Sequence, residues 1–417
     1  MLLTSLLRIF LTYSFKPFIF QSSLNNSLDF KGVKDLGLYV HIPFCKSICS
    51  FCPYCKEIYN KEKAAAYKRA LLKEIDRAGK NLDVKKEVTS LYIGGGTPAT
   101  MINDLPDIIA RIQKYFTING ELGIELHPGD ITTANLQILI SAGVTMVSIG
   151  IQSFDNVCMI KLGRKSNSVL KKLELLKNFE FKVIDVDLIF AIPGQTVDIL
   201  ISDINTAFEA GATQVSTYPF IDFTFTNNNY KPMPEKVKLH MLEALSQYCD
   251  DNNLERSAVW TYAKQGTKKY SSVTRNAFLG FGVSAATLLN NCFKINTHSV
   301  NAYIDRLNQE LLPTSLTLCF TERQKAAYYL FWNSYNLKID EIRFAEMFGV
   351  TLKKMFGIHI FIAEKLGYIR ENTDTYDLTA KGAALFHRIE QVYTRAYIDK
   401  AWSISRVEPF PEKIVLR

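Results

Sequence analysis

The feature that most constrains this chain is a group of four cysteines within eleven residues, placed directly after a short apolar run. The run and the cysteines read YVHIPFCKSICSFCPYC and span Tyr39–Cys55. Thiolates this close in sequence favour zinc or an iron–sulfur cluster. A tetrahedral zinc site usually draws a second ligand pair from elsewhere in the chain. The other cysteines stand alone in the sequence and form no such pair, which favours the iron–sulfur cluster; they are Cys158, Cys249, Cys292 and Cys319.

Three of the four clustered cysteines, Cys45, Cys49 and Cys52, form the pattern C-x3-C-x2-C, which leaves Cys55 outside it. Three thiolates can hold three irons of a [4Fe–4S] cube and leave the fourth iron open to another ligand. With Phe51 before the third cysteine, the motif resembles that of the radical S-adenosylmethionine (SAM) enzymes. The preceding YVHIPF narrows the resemblance to the family of oxygen-independent coproporphyrinogen III oxidase, which includes a branch of heme chaperones.

Short apolar runs alternate with charged, helix-periodic segments from Gly37 onward. The predicted strands are Leu38–His41, Ser90–Ile93, Gly123–Leu126, Met146–Gly150, Val183–Ile189 and Gln214–Tyr218. The predicted helices between them are Lys63–Lys80, Leu105–Phe116, Ala134–Ser141, Ser168–Asn178 and Val197–Glu209. This alternation is typical of parallel βα units, in an open sheet or a barrel. The pattern does not decide between the two, and the resemblance implies a partial (β/α)6 barrel that is open on one side.

The 417 residues are enough for one large domain and a smaller one. We predict an N-terminal extension over residues 1–35, a barrel over 36–235, a family-specific extension of the barrel side over 236–320, and a C-terminal helical, winged-helix-like domain over 321–417. Glutamates interrupt any basic stripe in the last domain, so we expect a lid over the barrel mouth rather than a reader of DNA.

The first residues, Met1–Gln21, are apolar but interrupted by Arg8, Lys16 and Pro17. A spanning helix needs about 20 mainly apolar residues with few or no charges, so we expect no membrane span. We expect this extension to pack on the barrel, or to come from a spurious upstream start. A signal peptide and interfacial contact with a membrane are the alternatives.

Residues suited to binding follow the ends of the six predicted strands. Ligands bind at the carboxyl ends of strands in parallel α/β folds, so these residues are expected to form one site. Glycine lets the backbone approach a ligand closely, and a carboxylate among apolar neighbours needs a partner. The residues are the cysteine loop, Gly94–Pro98, Glu125, His127, Gln152, Asp187 and Pro219.

The resemblance implies specific SAM contacts. Tyr39, Gly95, Glu125 and Ala286 match contacts to the cluster-bound SAM. A second SAM would be lined by Phe51, Gly96, Thr97, Gln152, Arg164, Asp187 and Pro219. By chemistry alone, Asp187 could accept hydrogen bonds from ribose hydroxyls. Arg164, in KLGRK, is predicted to lie on a helix. Its planar guanidinium could bind a carboxylate. A solvated cation is the alternative for Arg164.

The function that the resemblance implies is reductive cleavage of SAM to a 5′-deoxyadenosyl radical, followed by hydrogen abstraction. The expected substrate is a tetrapyrrole, and the named reaction is oxidative decarboxylation of porphyrinogen propionates. The alternatives are a heme-binding chaperone, with His41 and His127 as candidate heme ligands, and a two-SAM methyltransferase or cyclopropane-forming enzyme. One departure bears on this choice: the decarboxylase carries C-x3-C-x2-C-x-C, whereas Pro53 and Tyr54 precede the fourth cysteine here.

Charge and cysteine usage suggest the partners and the compartment. The net charge of +8 suits an anionic substrate, and without a basic cluster it does not indicate nucleic acid. The cysteines do not form a disulfide framework, and an oxygen-labile cluster needs a reducing compartment, so we expect the cytoplasm. Reductive chemistry also requires an electron donor, such as a flavodoxin or a ferredoxin.

Overall fold

The computed structural model describes residues 2–22, 27–80, 82–164, 169–268 and 276–417. The first half contains α1 (Leu2–Thr12), β1 (Phe18–Gln21), β2 (Leu36–Ile42), β3 (Phe44–Cys45), β4 (Glu57–Ile58), α2 (Lys61–Gly79), β5 (Lys86–Gly95), α3 (Leu105–Tyr115), β6 (Phe116–Leu126), α4 (Thr133–Ser141), β7 (Met146–Gln152), α5 (Asn156–Lys161), α6 (Val169–Leu176), β8 (Val183–Phe190), α7 (Val197–Glu209) and β9 (Gln214–Pro219).

The second half combines short antiparallel strands with the C-terminal helices. It contains α8 (Glu235–Asp251), β10 (Leu254–Ala258), β11 (Thr261–Lys264), β12 (Ala277–Phe281), β13 (Ala286–Leu289), β14 (Cys292–Asn296), α9 (Val300–Asn308), β15 (Thr314–Cys319), α10 (Glu322–Tyr335), β16 (Lys338–Asp340), α11 (Glu341–Phe348), α12 (Leu352–Lys365), β17 (Ile369–Glu371), β18 (Thr375–Leu378), α13 (Ala380–Tyr393), α14 (Asp399–Val407) and β19 (Lys413–Leu416). Two 3₁₀ helices lie at Pro98–Asp104 and Pro128–Asp130, and a π-helical turn at Thr394–Ile398 joins α13 to α14.

The centre of the molecule is a parallel sheet in the order β9-β8-β7-β6-β5-β2-β12. Six of these strands confirm the six predicted ones. The seventh, β12, pairs in parallel with β2 and was not predicted, because it lies in a segment that the sequence analysis assigned by resemblance alone. The strands are buried on both faces, as in β2, where only Tyr39 is partly exposed. Such burial is typical of a parallel sheet covered by helices.

Antiparallel strands extend this sheet on both sides. In the described part of the chain the order runs β10-β11-β9 at one end and β12-β13-β14-β15-β1-β19 at the other. The two end strands, β10 and β19, do not pair with each other, so the sheet is open. The architecture confirms the expected α/β fold with an incomplete barrel.

Capping side chains mark the starts of several helices. Asn60 accepts from the backbone N–H of Lys63 at the start of α2, and Thr196 does the same for Ile199 at the start of α7. Each side chain satisfies a backbone donor that has no partner inside the helix. Buried residues of these helices cover the central sheet and join its core.

The N-terminal segment was expected to pack on the barrel. Its helix and strand instead lie against the C-terminal part of the chain. Helix α1 contacts α10 and α13, and β1 lies between β15 and β19 in the sheet. Arg8, which interrupts the apolar run, is buried and donates to the carbonyl oxygen of Ser14. Among the described residues, no helix is both long enough and apolar enough to cross a bilayer.

The C-terminal elements form a second core. Strands β16, β18 and β17 make a small sheet that packs with α10, α11 and α12 around Tyr329, Phe344 and Phe356. Helices α11 and α12 of this expected winged-helix-like domain are separated at Gly349, which ends α11 with a left-handed φ of 66°. The hairpin of β17 and β18 supplies the wing of this domain.

Candidate functional site

The register of the parallel sheet brings the predicted site residues to one edge. Along the ladder, Ile42 pairs with Gly95, Ile93 with Ile124, and Gly150 with Asp187. Each strand therefore ends at a similar level, and the loops that follow the strands meet there. This placement agrees with the expected ligand-binding edge of a parallel α/β fold.

The cysteine loop is attached to the glycine segment by backbone hydrogen bonds. After β2, the N–H groups of Gly96 and Thr97 donate to the carbonyl oxygens of Ile42 and Phe44, at 2.7 and 2.8 Å. The Thr97 hydroxyl also donates to the Cys45 sulfur at 3.6 Å. The two predicted motifs thus form one structural unit in which the first cysteine lies beside Thr97.

The four clustered cysteines divide into three and one. Cys45 is buried, and Cys49 and Cys52 are partly exposed. Cys55 is buried elsewhere: its thiol donates to the carbonyl oxygen of His298 at 3.1 Å, and its own carbonyl oxygen lies 2.8 Å from Nε2 of His41. Its position supports a donor set made of the other three.

The three thiols suit a soft metal centre chemically. Burial raises the pKa of Cys45 to about 11 and also raises that of Cys49, so that both are protonated as free thiols. Ligation requires the thiolate, so loading a cluster would release protons. Among the described residues, no three His, Cys, Asp or Glu side chains are already arranged around a common metal position. The three cysteines fit a [4Fe–4S] cluster by residue type, spacing and shared loop.

The three glycines after β5 accommodate protein atoms. A Cβ at Gly94 would lie 2.7 Å from the Glu125 carboxylate, and one at Gly96 would lie 2.8 Å from the Phe44 carbonyl oxygen. At Gly95, a Cβ would meet the His41 ring at 2.6 Å, and the φ of 116° is one that side chains rarely adopt. The glycines therefore let Glu125, His41 and the cysteine loop converge.

Glu125 is held at the end of β6 by two neutral donors. Tyr92 Oη donates to one carboxylate oxygen and the Gly95 N–H to the other, both at 2.9 Å. Burial raises the Glu125 pKa to about 8; the Gly95 bond opposes this and the Asp187 charge adds to it. A cation bound here would reverse the shift by stabilising the carboxylate.

Tyr39 and His41 line the neighbouring strand. The carbonyl oxygen of Cys55 can only accept, so Nε2 of His41 carries the proton. Nδ1 is then the acceptor of a hydrogen bond from the Tyr39 hydroxyl, at 2.9 Å. Burial lowers the His41 pKa to about 4, so the ring is neutral. Because both ring nitrogens are engaged, the structure favours the packing interpretation of His41 over that of a heme ligand.

Ala286 lies beside the same strand. Gly280 on β12 pairs with Tyr39, and a Cβ on that glycine would lie 2.3 Å from the carbonyl oxygen of Ala286. Tyr39 also stacks on Tyr92, with ring centroids 6.2 Å apart. The structure thus brings Tyr39, Gly95, Glu125 and Ala286, which are expected to contact the cluster-bound SAM, to adjacent positions.

Arg164 does not lie on a helix, as the sequence analysis expected. Helix α5 ends at Lys161, and Gly163 turns the chain with a φ of 68°. Arg164 is partly buried, and its Nη1 donates to the Gly150 carbonyl oxygen at 2.7 Å. Burial lowers its pKa, and Cys49, Cys52 and Cys45 raise it, so the guanidinium faces the cysteine loop. The solvated-cation alternative does not fit this position.

Gln152 lies close to Arg164 in an unusual backbone conformation. Its φ is 80°, at an irregularity in the pairing of β7 with β8. A Cβ on Gly150 would lie 3.0 Å from Nε2 of Gln152 and 3.9 Å from Nη1 of Arg164. Non-glycine residues with such a φ concentrate at functional sites, which fits the expected role of Gln152.

Asp187 belongs to an acidic pair that the sequence analysis did not identify. It accepts from the Ser148 hydroxyl at 2.7 Å, and burial raises its pKa to about 6. Asp185 is buried on the same strand and accepts from Ser216; burial and the Asp187 charge raise its pKa. Two aspartates at alternate positions of an apolar strand are a signal that could have indicated the pair.

Phe51 and Pro219 provide apolar surface next to these polar groups. Phe51 packs on a small buried cluster that includes Leu162, Ile189 and Phe220. Pro219 is buried and pairs with Phe190 at the end of β9. These polar residues, which are expected to line a second SAM, thus come from β7, β8 and the turn after α5, and Phe51 and Pro219 add apolar groups.

The C-terminal helix α14 covers the cysteine loop. Trp402 lies 6.2 Å from the ring of Tyr54 in that loop and stacks on Phe223, which follows β9. Asp399, at the start of α14, accepts hydrogen bonds from the backbone N–H and the hydroxyl of Thr224. No sequence motif marks these contacts. The covering element is α14, which follows the wing.

Comparisons with known proteins agree with this geometry. Residues 39–207 match the Radical SAM superfamily. The chain is 28% identical to the heme chaperone HemW of Bacillus subtilis, over 84% of this chain and 97% of that protein. It is 23% identical to the oxygen-independent coproporphyrinogen III oxidase of Helicobacter pylori, over 86% of each chain.

A solved structure has a similar fold. Coproporphyrinogen III oxidase (HemN) from Escherichia coli superposes with a TM-score of 0.74 at 20% identity, covering 87% of this chain and 90% of that one. At this level of identity the likeness concerns the fold.

Proposed function

We propose that this chain, which carries a radical SAM domain, holds a [4Fe–4S] cluster through Cys45, Cys49 and Cys52 and cleaves SAM reductively to act on a tetrapyrrole. The observation that carries the proposal is the position of Glu125. Its carboxylate lies beside the cysteine loop and is held by two neutral donors, Tyr92 and Gly95. Such a group is suited to receive the amino group of SAM.

When bound, the cluster supplies the single electron that breaks the sulfonium bond of SAM. The chain binds and orients the reactants and excludes water. Glu125 would accept from the SAM amino group. Tyr39 would hold one side of the site, and its hydroxyl is fixed by the bond to His41 Nδ1. Because the His41 ring is fixed in turn by the Cys55 carbonyl, these groups are preorganised before a ligand binds.

Arg164, Gln152 and Asp187 would bind a second ligand. The Arg164 guanidinium is oriented by the Gly150 carbonyl oxygen and lies near the cysteine thiols. A planar guanidinium binds a carboxylate through two parallel hydrogen bonds. SAM and porphyrinogens both carry carboxylates, so the same residues suit a second SAM or a propionate side chain of the substrate.

The tetrapyrrole substrate class is supported by the similarity to HemW and to coproporphyrinogen III oxidase, which covers most of each protein. Within this class we propose an oxidase-like reaction, oxidative decarboxylation of a propionate, in which Arg164 would orient the reacting carboxylate. Cytoplasmic location and reduction by a flavodoxin or ferredoxin are parts of the same proposal.

A heme-binding chaperone is the second candidate. Its support is His127, which is exposed at the end of β6. Nδ1 of His127 accepts a hydrogen bond from the Gly129 N–H at 3.0 Å, so the proton resides on Nε2. Binding of heme iron at Nε2 would therefore require this proton to move to Nδ1 and the hydrogen bond from Gly129 to break. Neutral imidazole nitrogen is a common metal ligand. The similarity to HemW over 97% of that protein agrees with this candidate.

One experiment separates the two functions. The protein is reconstituted anaerobically with iron and sulfide, reduced, and given SAM with coproporphyrinogen III, and 5′-deoxyadenosine and decarboxylated product are measured. Heme binding is titrated on the same sample and on His127→Ala. Product formation supports the oxidase-like enzyme. Tight heme binding that is lost in His127→Ala, without product, supports the chaperone. Absence of 5′-deoxyadenosine, product and heme binding would overturn both.

A further inference from the structure

Two cysteines outside the cysteine loop face each other across the sheet. The register of β14 and β15 pairs Cys292 directly with Cys319, and their sulfur atoms are 2.6 Å apart. In the sequence the two cysteines stand apart and form no C-x2-C pair. Their contact depends on the pairing of two strands that α9 separates in the chain, which cysteine spacing does not reveal.

The backbone around this pair shows which kind of strand position it occupies. The next pair along the ladder, Asn291 and Phe320, is joined by a hydrogen bond from the Phe320 N–H to the Asn291 carbonyl oxygen at 2.7 Å. Hydrogen-bonded and non-hydrogen-bonded pairs alternate in an antiparallel ladder. Cys292 and Cys319 therefore form a non-hydrogen-bonded pair. At such positions the Cα atoms are about 4.5 Å apart, which lies within the range that a disulfide bridges.

The two thiols differ in their access to solvent. Cys319 is exposed, whereas Cys292 is partly buried. A dissolved oxidant therefore reaches Cys319 first, and Cys292 is in place to react with the product.

We propose that Cys292 and Cys319 are an oxidisable thiol pair that low-molecular-weight disulfides, such as glutathione disulfide, convert to a cross-strand disulfide. The Cys319 thiolate attacks the oxidant, so a Cys319–glutathione bond forms, the glutathione disulfide bond breaks, and one glutathione leaves. The Cys292 sulfur then attacks Cys319, which releases the second glutathione. The two protein thiols are oxidised, the glutathione disulfide is reduced, and the two protons end on the two glutathione thiols.

The bond would cross-link two neighbouring strands of the sheet at the point where the chain leaves it for the C-terminal core. Cys292 begins β14, directly after the turn from β13, which belongs to the side of the central sheet. Cys319 ends β15, two positions before Thr321, the cap of α10 in the C-terminal core. Phe293 already contacts Phe320 at this junction, with ring centroids 6.4 Å apart. Oxidation would fix the start of the C-terminal helices to the sheet. This inference does not depend on the proposed function.

The test uses the full chain with its reconstituted cluster under anaerobic conditions. The protein is equilibrated with increasing ratios of oxidised to reduced glutathione, quenched in acid, alkylated and digested. The expected result is a peptide pair joined through Cys292 and Cys319, two hydrogens lighter than the reduced pair, while the iron content is unchanged. Cys292→Ser should instead accumulate glutathione on Cys319, because the attacking partner is missing.

Two results would overturn the inference. One is recovery of both cysteines as alkylated thiols at oxidant levels that begin to damage the cluster. The other is separate glutathione adducts on Cys292 and Cys319 in the wild type without the cross-link.

Discussion

The guanidinium of Arg406, on helix α14, donates a hydrogen bond to the carbonyl oxygen of Pro53 in the cysteine loop. The same guanidinium lies over the ring of Phe225, 4.2 Å from its centroid. It therefore links the loop that carries the thiols with the loop after β9. A hydrogen bond from a charged donor of this kind contributes about 1.5–3 kcal/mol to the stability of the fold where its partner is protected from water.

Replacing Arg406 with Ala should loosen the cysteine loop. We expect a reconstituted cluster to lose iron to a chelator about ten times faster than in the wild type. The lower end of the hydrogen-bond energy, about 1.5 kcal/mol, corresponds to roughly a tenfold change in rate. Arg388→Ala, at an exposed position on α13, is the matched control. The measurement is the rate of iron release under anaerobic conditions. Equal rates in Arg406→Ala and Arg388→Ala would show that α14 does not restrain the loop.

The division of the cysteines gives a second prediction. Cys45→Ala, Cys49→Ala and Cys52→Ala should each abolish the visible absorption of the cluster and all cleavage of SAM. Cys55→Ala should retain both, since its thiol donates to the His298 carbonyl oxygen instead. Iron and sulfide content and 5′-deoxyadenosine are measured on all four variants. A cluster lost in Cys55→Ala but kept in one of the other three would contradict the assignment.

Glu125→Gln should weaken SAM binding by about tenfold or more while the cluster stays intact, because a neutral amide cannot form a charge-assisted bond to the SAM amino group. Glu121→Gln changes an acid on the same strand whose partners are Lys182 and Lys268, away from the cysteine loop, and serves as the control. SAM affinity and iron content are measured on the same samples. Unchanged affinity in Glu125→Gln would remove this residue from the SAM site.

The raised pKa of Glu125 predicts how stability depends on pH. In the folded protein this pKa is about 8, above that of an unfolded glutamate, about 4.3. Its stabilising effect is therefore fully present below about pH 4.3 and is lost as the pH rises through about 8. The side chain of Glu125→Gln cannot lose a proton. Without ligands, the melting temperature of this variant minus that of the wild type should therefore increase from pH 5 to pH 8.5. A difference in melting temperature that stays constant across this pH range would contradict the raised pKa of Glu125.

Arg164 distinguishes the proposed enzyme from the chaperone. Arg164→Ala should leave the cluster and the first SAM site nearly unchanged but remove substrate turnover, because the group that orients a carboxylate is lost. In equilibrium dialysis the wild type should bind two equivalents of SAM and the variant one. Arg164→Lys, which keeps the charge without the planar fork, should recover little activity. One equivalent in the wild type, together with heme binding that survives the change, would favour the chaperone.

Local sequence was enough to predict the strands that make the site. The six parallel strands and most of the helices between them were predicted because the alternation of apolar runs with charged, helix-periodic segments is encoded locally. The cysteine spacing likewise indicated a cluster, since all three thiols lie in one short loop. Gly94–Gly96 were expected to approach a ligand; in the fold they give room to Glu125, His41 and the cysteine loop.

Relationships between distant segments were decided only by the tertiary structure. Sequence placed Arg164 on a helix and left Cys292 and Cys319 apart, yet the fold turns the first toward the thiols and brings the other two into contact. No sequence motif predicts the contact of Arg406 with Pro53. Such pairs depend on strand register and helix docking, which are set by the packing of the whole core. The sequence therefore determined which chemistry the chain can carry, and the packing decided which side chains surround it.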